Sequence, residues 1–171
     1  MAASRGWRGL PHDLVDRDAL TGLLTRRRFE KELERHVAQG RRYGFGGVLI
    51  VLDLNGFRSI NEQHGPRAGD RVLYGVAQTL SNRLRETDLL ARIGGDQFGV
   101  LLPRAKPPEA ERVCQALEDA IPEEVHAPGG RVTSAGCARF RWQPGARAPG
   151  PPLMIGLPVI SGGLAPPDPR R

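Results

Sequence analysis

Gly47–Leu54 reads GVLIVLDL, eight residues with a single charged side chain. A run this apolar and this rich in branched residues is expected of a central strand covered on both faces. Asp53 interrupts it near its end. Burying that carboxylate unpaired would cost several kcal/mol. It is therefore expected to reach solvent, a cation or strong donors.

The flanking segments supply partners for such a strand. Upstream, Thr25 suits the N-cap of a helix over residues 26–39, with Phe29, Leu33 and Val37 on one face. Gly40 is expected at its C-terminal end. Downstream come a loop and a helix over residues 69–84, with Leu73, Val76, Leu80 and Leu84 inward. Residues 88–93 and 97–102 read as two strands around Gly94-Gly95-Asp96. That pattern predicts a hairpin whose glycines supply the positive φ of a tight turn. A helix over residues 108–121, with Val113, Leu117 and Ile121 inward, precedes a strand over residues 131–138. The order α-β-α-β-β-α-β predicts an α/β (α+β) fold, a central sheet with helices packed on it.

Beyond about residue 139 the character changes. Residues 141–171, RWQPGARAPGPPLMIGLPVISGGLAPPDPRR, are dense in Pro and Gly and have no helical period. They are expected to form a poorly ordered tail. The expected organisation is a lead over residues 1–17, one domain over 18–140 and the tail over 141–171.

Composition bounds the function. A chain of 171 residues suffices for about one domain with a real core. No segment approaches the ~20 apolar residues of a membrane helix, and residues 1–17 hold no run resembling a signal peptide. The cytoplasm is the expected compartment. Cys114 and Cys137 lack metal-ligand spacing and are expected to be buried thiols. The net charge is +6, and nearly all of the positive charge is Arg. Basic charge can attract phosphates or nucleic acid. Aromatics are only 5% of the chain, so nucleic acid is not favoured as a partner.

Two carboxylates stand where chemistry is possible. Asp53 ends the central strand and Asp96 sits at the hairpin tip of Arg92-Ile-Gly-Gly-Asp-Gln-Phe98. Converging carboxylates beside glycine backbone suit Mg²⁺ and a polyphosphate.

Several motifs in order resemble the GGDEF family of diguanylate cyclases. Asp18-Ala-Leu-Thr-Gly-Leu23, then Thr25-Arg-Arg27 and Phe29, is similar to the family's opening DxLTGLxNRRxF. Asp53-Leu-Asn55-Gly-Phe57-Arg58-Ser-Ile-Asn61-Glu62 is similar to DxDxFKxxND. Gly65 with Gly69-Asp70 matches GHxxGD, with Pro66 at the usual His. Ser134-Ala-Gly136 resembles a later SxG strand. The resemblance implies a palm-like sheet flanked by helices, the nucleotidyl cyclase fold, and condensation of two GTP into cyclic di-GMP by a homodimer. It implies that Asp53 and Asp96 hold Mg²⁺ (or Mn²⁺), helped by the Leu54 carbonyl. Gly94 and Gly95 would let backbone approach the phosphates, Arg58 would contact a phosphate, and Asn61 and Asp70 would read guanine. Arg85-Glu-Thr-Asp88, separated from Gly94 by five residues, matches the family's RxxD product site.

The chain also departs from the pattern. Gln97 stands at the second acid of the signature, and Asn55 at another position that is often acidic. Nothing in residues 139–171 resembles the family's final helix. The fold is therefore expected to be incomplete at its C-terminal end, through a shifted reading frame, truncation or divergence. The short lead offers no sensor or long coiled coil, so dimerisation is expected from the domain, the product or a partner. Two functions stay open: a cyclase, with full or reduced activity, and an inactive domain that binds cyclic di-GMP or GTP.

Overall fold

The structure, a computed structural model, describes residues 16–127 and 130–142. Its elements are β1 (Leu24–Thr25), α1 (Arg26–Tyr43), β2 (Gly47–Leu54), α2 (Phe57–His64), α3 (Pro66–Arg83), β3 (Leu89–Arg92), β4 (Gln97–Pro103), α4 (Pro107–Glu124), β5 (His126–Ala127), β6 (Gly130–Arg131) and β7 (Ser134–Trp142). Five strands form one sheet in the order β1-β3-β4-β2-β7; β5 and β6 pair separately. β2 lies between β4 and β7, antiparallel to both. β3 is antiparallel to β4 and parallel to β1.

GVLIVLDL is the two-faced strand that its composition demands. Val48, Ile50, Leu52 and Leu54 join Phe98, Val100 and Leu102 in a core with Val72, Val76 and Leu80 of α3 and Leu117 and Ile121 of α4. The alternate residues Leu49 and Val51 join Leu101, Ala91 and Ile93 beneath Phe29 and Leu33 of α1. Strand alternation thus sends successive side chains to opposite cores. Each fully buried large side chain contributes roughly 1.5–3 kcal/mol.

Helix ends differ from expectation in three places. Gly40 does not end α1; it is buried inside it, and Gly44 (φ 78°) supplies the left-handed cap, its N–H bonding to the Gly40 carbonyl. Both glycines fit the stop signal, but the apolar stripe alone stops too early. Thr25 does cap the helix, accepting from Arg28 N–H at 3.5 Å. The expected loop before residue 69 contains a helix, α2, and α3 begins at Pro66, where the missing N–H costs nothing. α2 has no buried residue, so no apolar period marks it.

β7 runs to Trp142, past the expected domain end at residue 140. Its length follows from β2, whose whole edge it pairs from Gly47↔Trp142 to Leu54↔Ser134. Backbone groups of a central strand need that second partner. The expected tail lies outside the described residues, apart from its first two positions in β7, and so does the lead up to residue 15. Cys114 is buried and disulfide-bonded, so the expected free thiol is corrected there. Among the described residues no helix is long and apolar enough to cross a membrane.

Candidate active site and product cleft

β2 and β4 deliver the two carboxylates to one edge of the sheet. Asp53 is in register with Gln97, the first residue after Asp96, and with Gly136 on its other side. A register shift follows between Asp53 and Leu54. Burial, and then the charge of Asp96, push the Asp53 carboxyl above its ordinary value; hydrogen bonds from the Leu54 N–H and the Gln97 side chain pull the other way. The Leu54 N–H lies 3.1 Å from Oδ1. Gln97 therefore donates to Asp53, where a glutamate would repel it.

The hairpin glycines act differently from expectation. Neither Gly94 nor Gly95 has positive φ. A Cβ on Gly94 would meet the Gln97 Oε1 at 2.9 Å, whereas one on Gly95 would meet nothing within 4 Å. Gly94 thus makes room for Gln97, and Gly95 leaves an open tip. Asn55 is engaged elsewhere: its Nδ2 donates to Thr133 Oγ1 at 3.0 Å and its N–H to the Thr133 carbonyl at 2.9 Å. It ties the end of β2 to the loop before β7.

Among the described residues no group of three or more His, Cys, Asp and Glu is arranged to hold a metal. The Asp53–Asp96 pair fits a divalent cation all the same. Its charges repel, one of them is partly buried, and a hard cation with oxygen ligands relieves both penalties.

The residues expected at the nucleotide lie on α2 and α3. Gly65 (φ 78°) turns the chain between these helices. Asn61 of α2 packs onto Gly69 of α3: a Cβ there would overlap Asn61 Oδ1, with Asn61 Cγ 2.9 Å and Phe57 Cζ 3.1 Å away. Asp70 follows directly and is exposed. Arg58 is 91% exposed and paired with Glu62 at 2.8 Å. The fold therefore gathers Asn61, Gly69 and Asp70, while Arg58 stands out in solvent.

Arg85 and Asp88 occupy the other end of β3 and β4. They line a cleft of about 170 Å³ together with Arg104, Glu109, Leu102 and Val113, among others. Asp88 Oδ2 accepts from the Arg85 N–H at 3.0 Å. Burial pushes the Asp88 carboxyl above its ordinary value, against that bond and the Arg85 charge. Arg85 Nη1 lies 2.7 Å from Glu109 Oε1. Arg104 has φ 61°, unusual for a non-glycine residue, and its guanidinium sits 4.7 Å over the Phe45 ring.

A further set of residues braces the hairpin. Arg92 Nε and Nη2 donate to the Gly95 carbonyl at 3.1 and 2.7 Å, and Nη1 lies 3.4 Å from both oxygens of Asp18. Asp18 Oδ1 also accepts from the Thr21 N–H (2.9 Å) and hydroxyl (2.7 Å). Asp18 and Arg92 stand in recognisable motifs, but nothing local in either motif says that they meet across 74 residues.

Comparison with known proteins places this geometry in a family. The family model described as "Diguanylate cyclase, GGDEF domain" matches residues 15–145. The chain belongs to the GGDEF family. It is 41% identical over 104 residues to diguanylate cyclase DgcP of Pseudomonas aeruginosa, covering 61% of this chain and 16% of that protein. It is 42% identical over 96 residues to cyclic di-GMP phosphodiesterase PdeB of Shewanella oneidensis, covering 54% of this chain and 11% of that one. The chain thus spans a small part of these relatives' length. The GGDEF domain of DgcB from Caulobacter crescentus, solved in complex with c-di-GMP, is similar with a TM-score of 0.73 at 25% identity, covering 84% of each chain.

Proposed function

We propose that this GGDEF domain binds GTP at the edge formed by Asp53 and the Gly94–Gly95–Asp96 tip, and condenses two GTP into cyclic di-GMP. The observation that carries the reading is the pair of mutually repelling carboxylates, Asp53 and Asp96, beside a hairpin left open at Gly95. Asp53, Asp96 and the Leu54 carbonyl would hold Mg²⁺ or Mn²⁺. Such an ion, when bound, supplies charge neutralisation to the triphosphate. The open backbone at Gly95 admits a phosphate. Asn61 and Asp70 hold the guanine edge, Asp70 accepting from N1–H and the exocyclic amine. Arg58 reaches a phosphate once it leaves Glu62.

In the reaction each 3′-oxygen bonds to the α-phosphorus of the other GTP, each bond to pyrophosphate breaks, and both hydroxyl protons are released. One domain holds one GTP, so two domains must face each other. The purified chain incubated with GTP and Mg²⁺ should yield cyclic di-GMP on chromatography. Asp53→Ala should abolish that product and the Mg²⁺ dependence of GTP binding. Equal GTP affinity with and without Mg²⁺ in the unaltered chain would refute the site.

A second reading, binding without turnover, is favoured by the Gln97 side chain, which already satisfies Asp53. The Arg85–Asp88 cleft would then take cyclic di-GMP as a signal, through paired bonds from Arg85 to a phosphate or guanine. Calorimetry should show cyclic di-GMP binding that Arg85→Ala weakens by at least ~2 kcal/mol. No heat at high micromolar ligand counts against it.

A further inference from the structure

Arg85 is already occupied. Its guanidinium is bound by the Glu109 carboxylate at 2.7 Å, and its backbone N–H by Asp88 at 3.0 Å. Both carboxylates line the same cleft as Arg85 and Arg104, so four charged side chains there sum to zero. A ligand phosphate that takes the Arg85 guanidinium through paired bonds competes with Glu109, which already holds Nη1. It also meets the charge of Glu109 as a repulsive neighbour.

Glu109 is well placed to stay where it is. It lies in the first turn of α4, after Pro107 and Pro108, where the helix dipole favours an anion. Its hydrogen bond from Arg85 holds its carboxyl below the ordinary value, so it remains charged at neutral pH. The pair is nevertheless superficial, with side chains 73% and 30% exposed. Exposed pairs are weak, and a phosphate can displace one.

We propose that Glu109 is a resident competitor for Arg85, displaced by the phosphate of a cyclic dinucleotide, and that it sets the ligand concentration at which the cleft fills. This rests on the reading of Arg85 and Asp88 as a cyclic di-GMP site. Glu109 acts on that site through Arg85 and through its own charge. Asp88 is left in place, because its bond is to backbone and needs no rearrangement.

The test is calorimetry of the full chain with cyclic di-GMP, using the unaltered protein, Glu109→Gln, Arg85→Ala and the double variant, with thermal unfolding as a check on the fold. Glu109→Gln should tighten binding about three- to tenfold, since it removes the competing charge and keeps the side-chain volume. In the Arg85→Ala background the same change should alter affinity less than twofold. Glu109→Asp keeps the charge but shortens the reach, and should tighten binding less than the Gln variant; it also serves if the Gln variant folds poorly. Equal affinity of the unaltered chain and Glu109→Gln overturns the proposal and leaves the cleft a cyclic di-GMP site. Equal tightening with and without Arg85 also overturns it, because the effect is then general charge. If neither the unaltered chain nor Glu109→Gln binds, the cleft reading falls and the proposal with it.

Discussion

Gln97 occupies the position where a family member usually carries a second acid, and its side chain donates to Asp53. Gln97→Glu exchanges a donor for a third negative charge at nearly constant volume. Two unit charges ~4 Å apart interact by ~4 kcal/mol at an effective dielectric of 20, before desolvation. Without divalent cation the variant should therefore melt lower than the unaltered chain. With Mg²⁺ it should gain more in Tm, and turnover should rise about 5- to 150-fold, for roughly 1–3 kcal/mol of barrier. Melting curves with and without Mg²⁺ check the first part and single-substitution kinetics the second; an unchanged rate sinks the electrostatic account. Gly69 makes a different demand. Because a Cβ there would overlap the Asn61 amide, Gly69→Ala should weaken GTP binding about tenfold or more, the loss of a well-made hydrogen bond or two. In an Asn61→Ala background, which removes the obstructed atom, Gly69→Ala should cost much less. Additive losses in that double variant would show that the glycine acts through packing alone. The motif residues themselves were legible in the sequence. That Gln97 leans on Asp53, and that Gly69 clears space for Asn61, follow from cross-strand register and helix pairing, which no local pattern encodes.

The elements divide in a similar way. β2 and the inner faces of α3 and α4 were readable because burial imposes a period. α2 was not, since it buries nothing and is read as loop. The hairpin was placed correctly but for the wrong reason: its glycines serve by lacking side chains, not by positive φ. Its brace is Arg92, only 19% exposed, which grips the Gly95 carbonyl twice. Arg92→Ala should cost about 1–3 kcal/mol in unfolding free energy, the range for losing bonds to a charged donor. Hydrogen exchange at residues 94–97 should accelerate by more than global unfolding requires. Uniform acceleration across the sheet would instead assign Arg92 a general structural role.

At the scale of the whole molecule, two acidic residues pull stability in opposite directions with pH. Asp18 is raised by burial, but Thr21 and Arg92 bring its carboxyl below the ordinary value overall. Its contribution is present above the unfolded pKa of about 3.8 and is lost as pH falls through the lower folded value. Asp53 has the opposite sign: its folded value is raised, so its contribution is present below about 3.8 and lost as pH rises through the folded value. Asp53→Asn should therefore raise Tm by about 1–4 °C at pH 7 in the absence of divalent cation, and the gain should vanish near pH 3. Melting curves at the two pH values decide it; a pH-independent shift would mean that packing, not charge, had changed. The same edge that is destabilised by its carboxylates lies about 20 Å from the Arg85 cleft, the length of seven-residue β4. The brace at Arg92 has one more consequence. The Asp18 turn is fastened to the sheet through the bonds of Thr25 N–H to the Asp16 carbonyl and of Arg92 to Asp18. Arg92 in turn holds the Gly95 carbonyl. The turn, whose Leu23 sits in the core, is thus also linked to the hairpin tip by two polar bonds in series. A pull on the chain at residue 16 is therefore passed to the hairpin tip both along the β1–β3 pairing of Thr25 with Arg92 and through the Arg92 guanidinium.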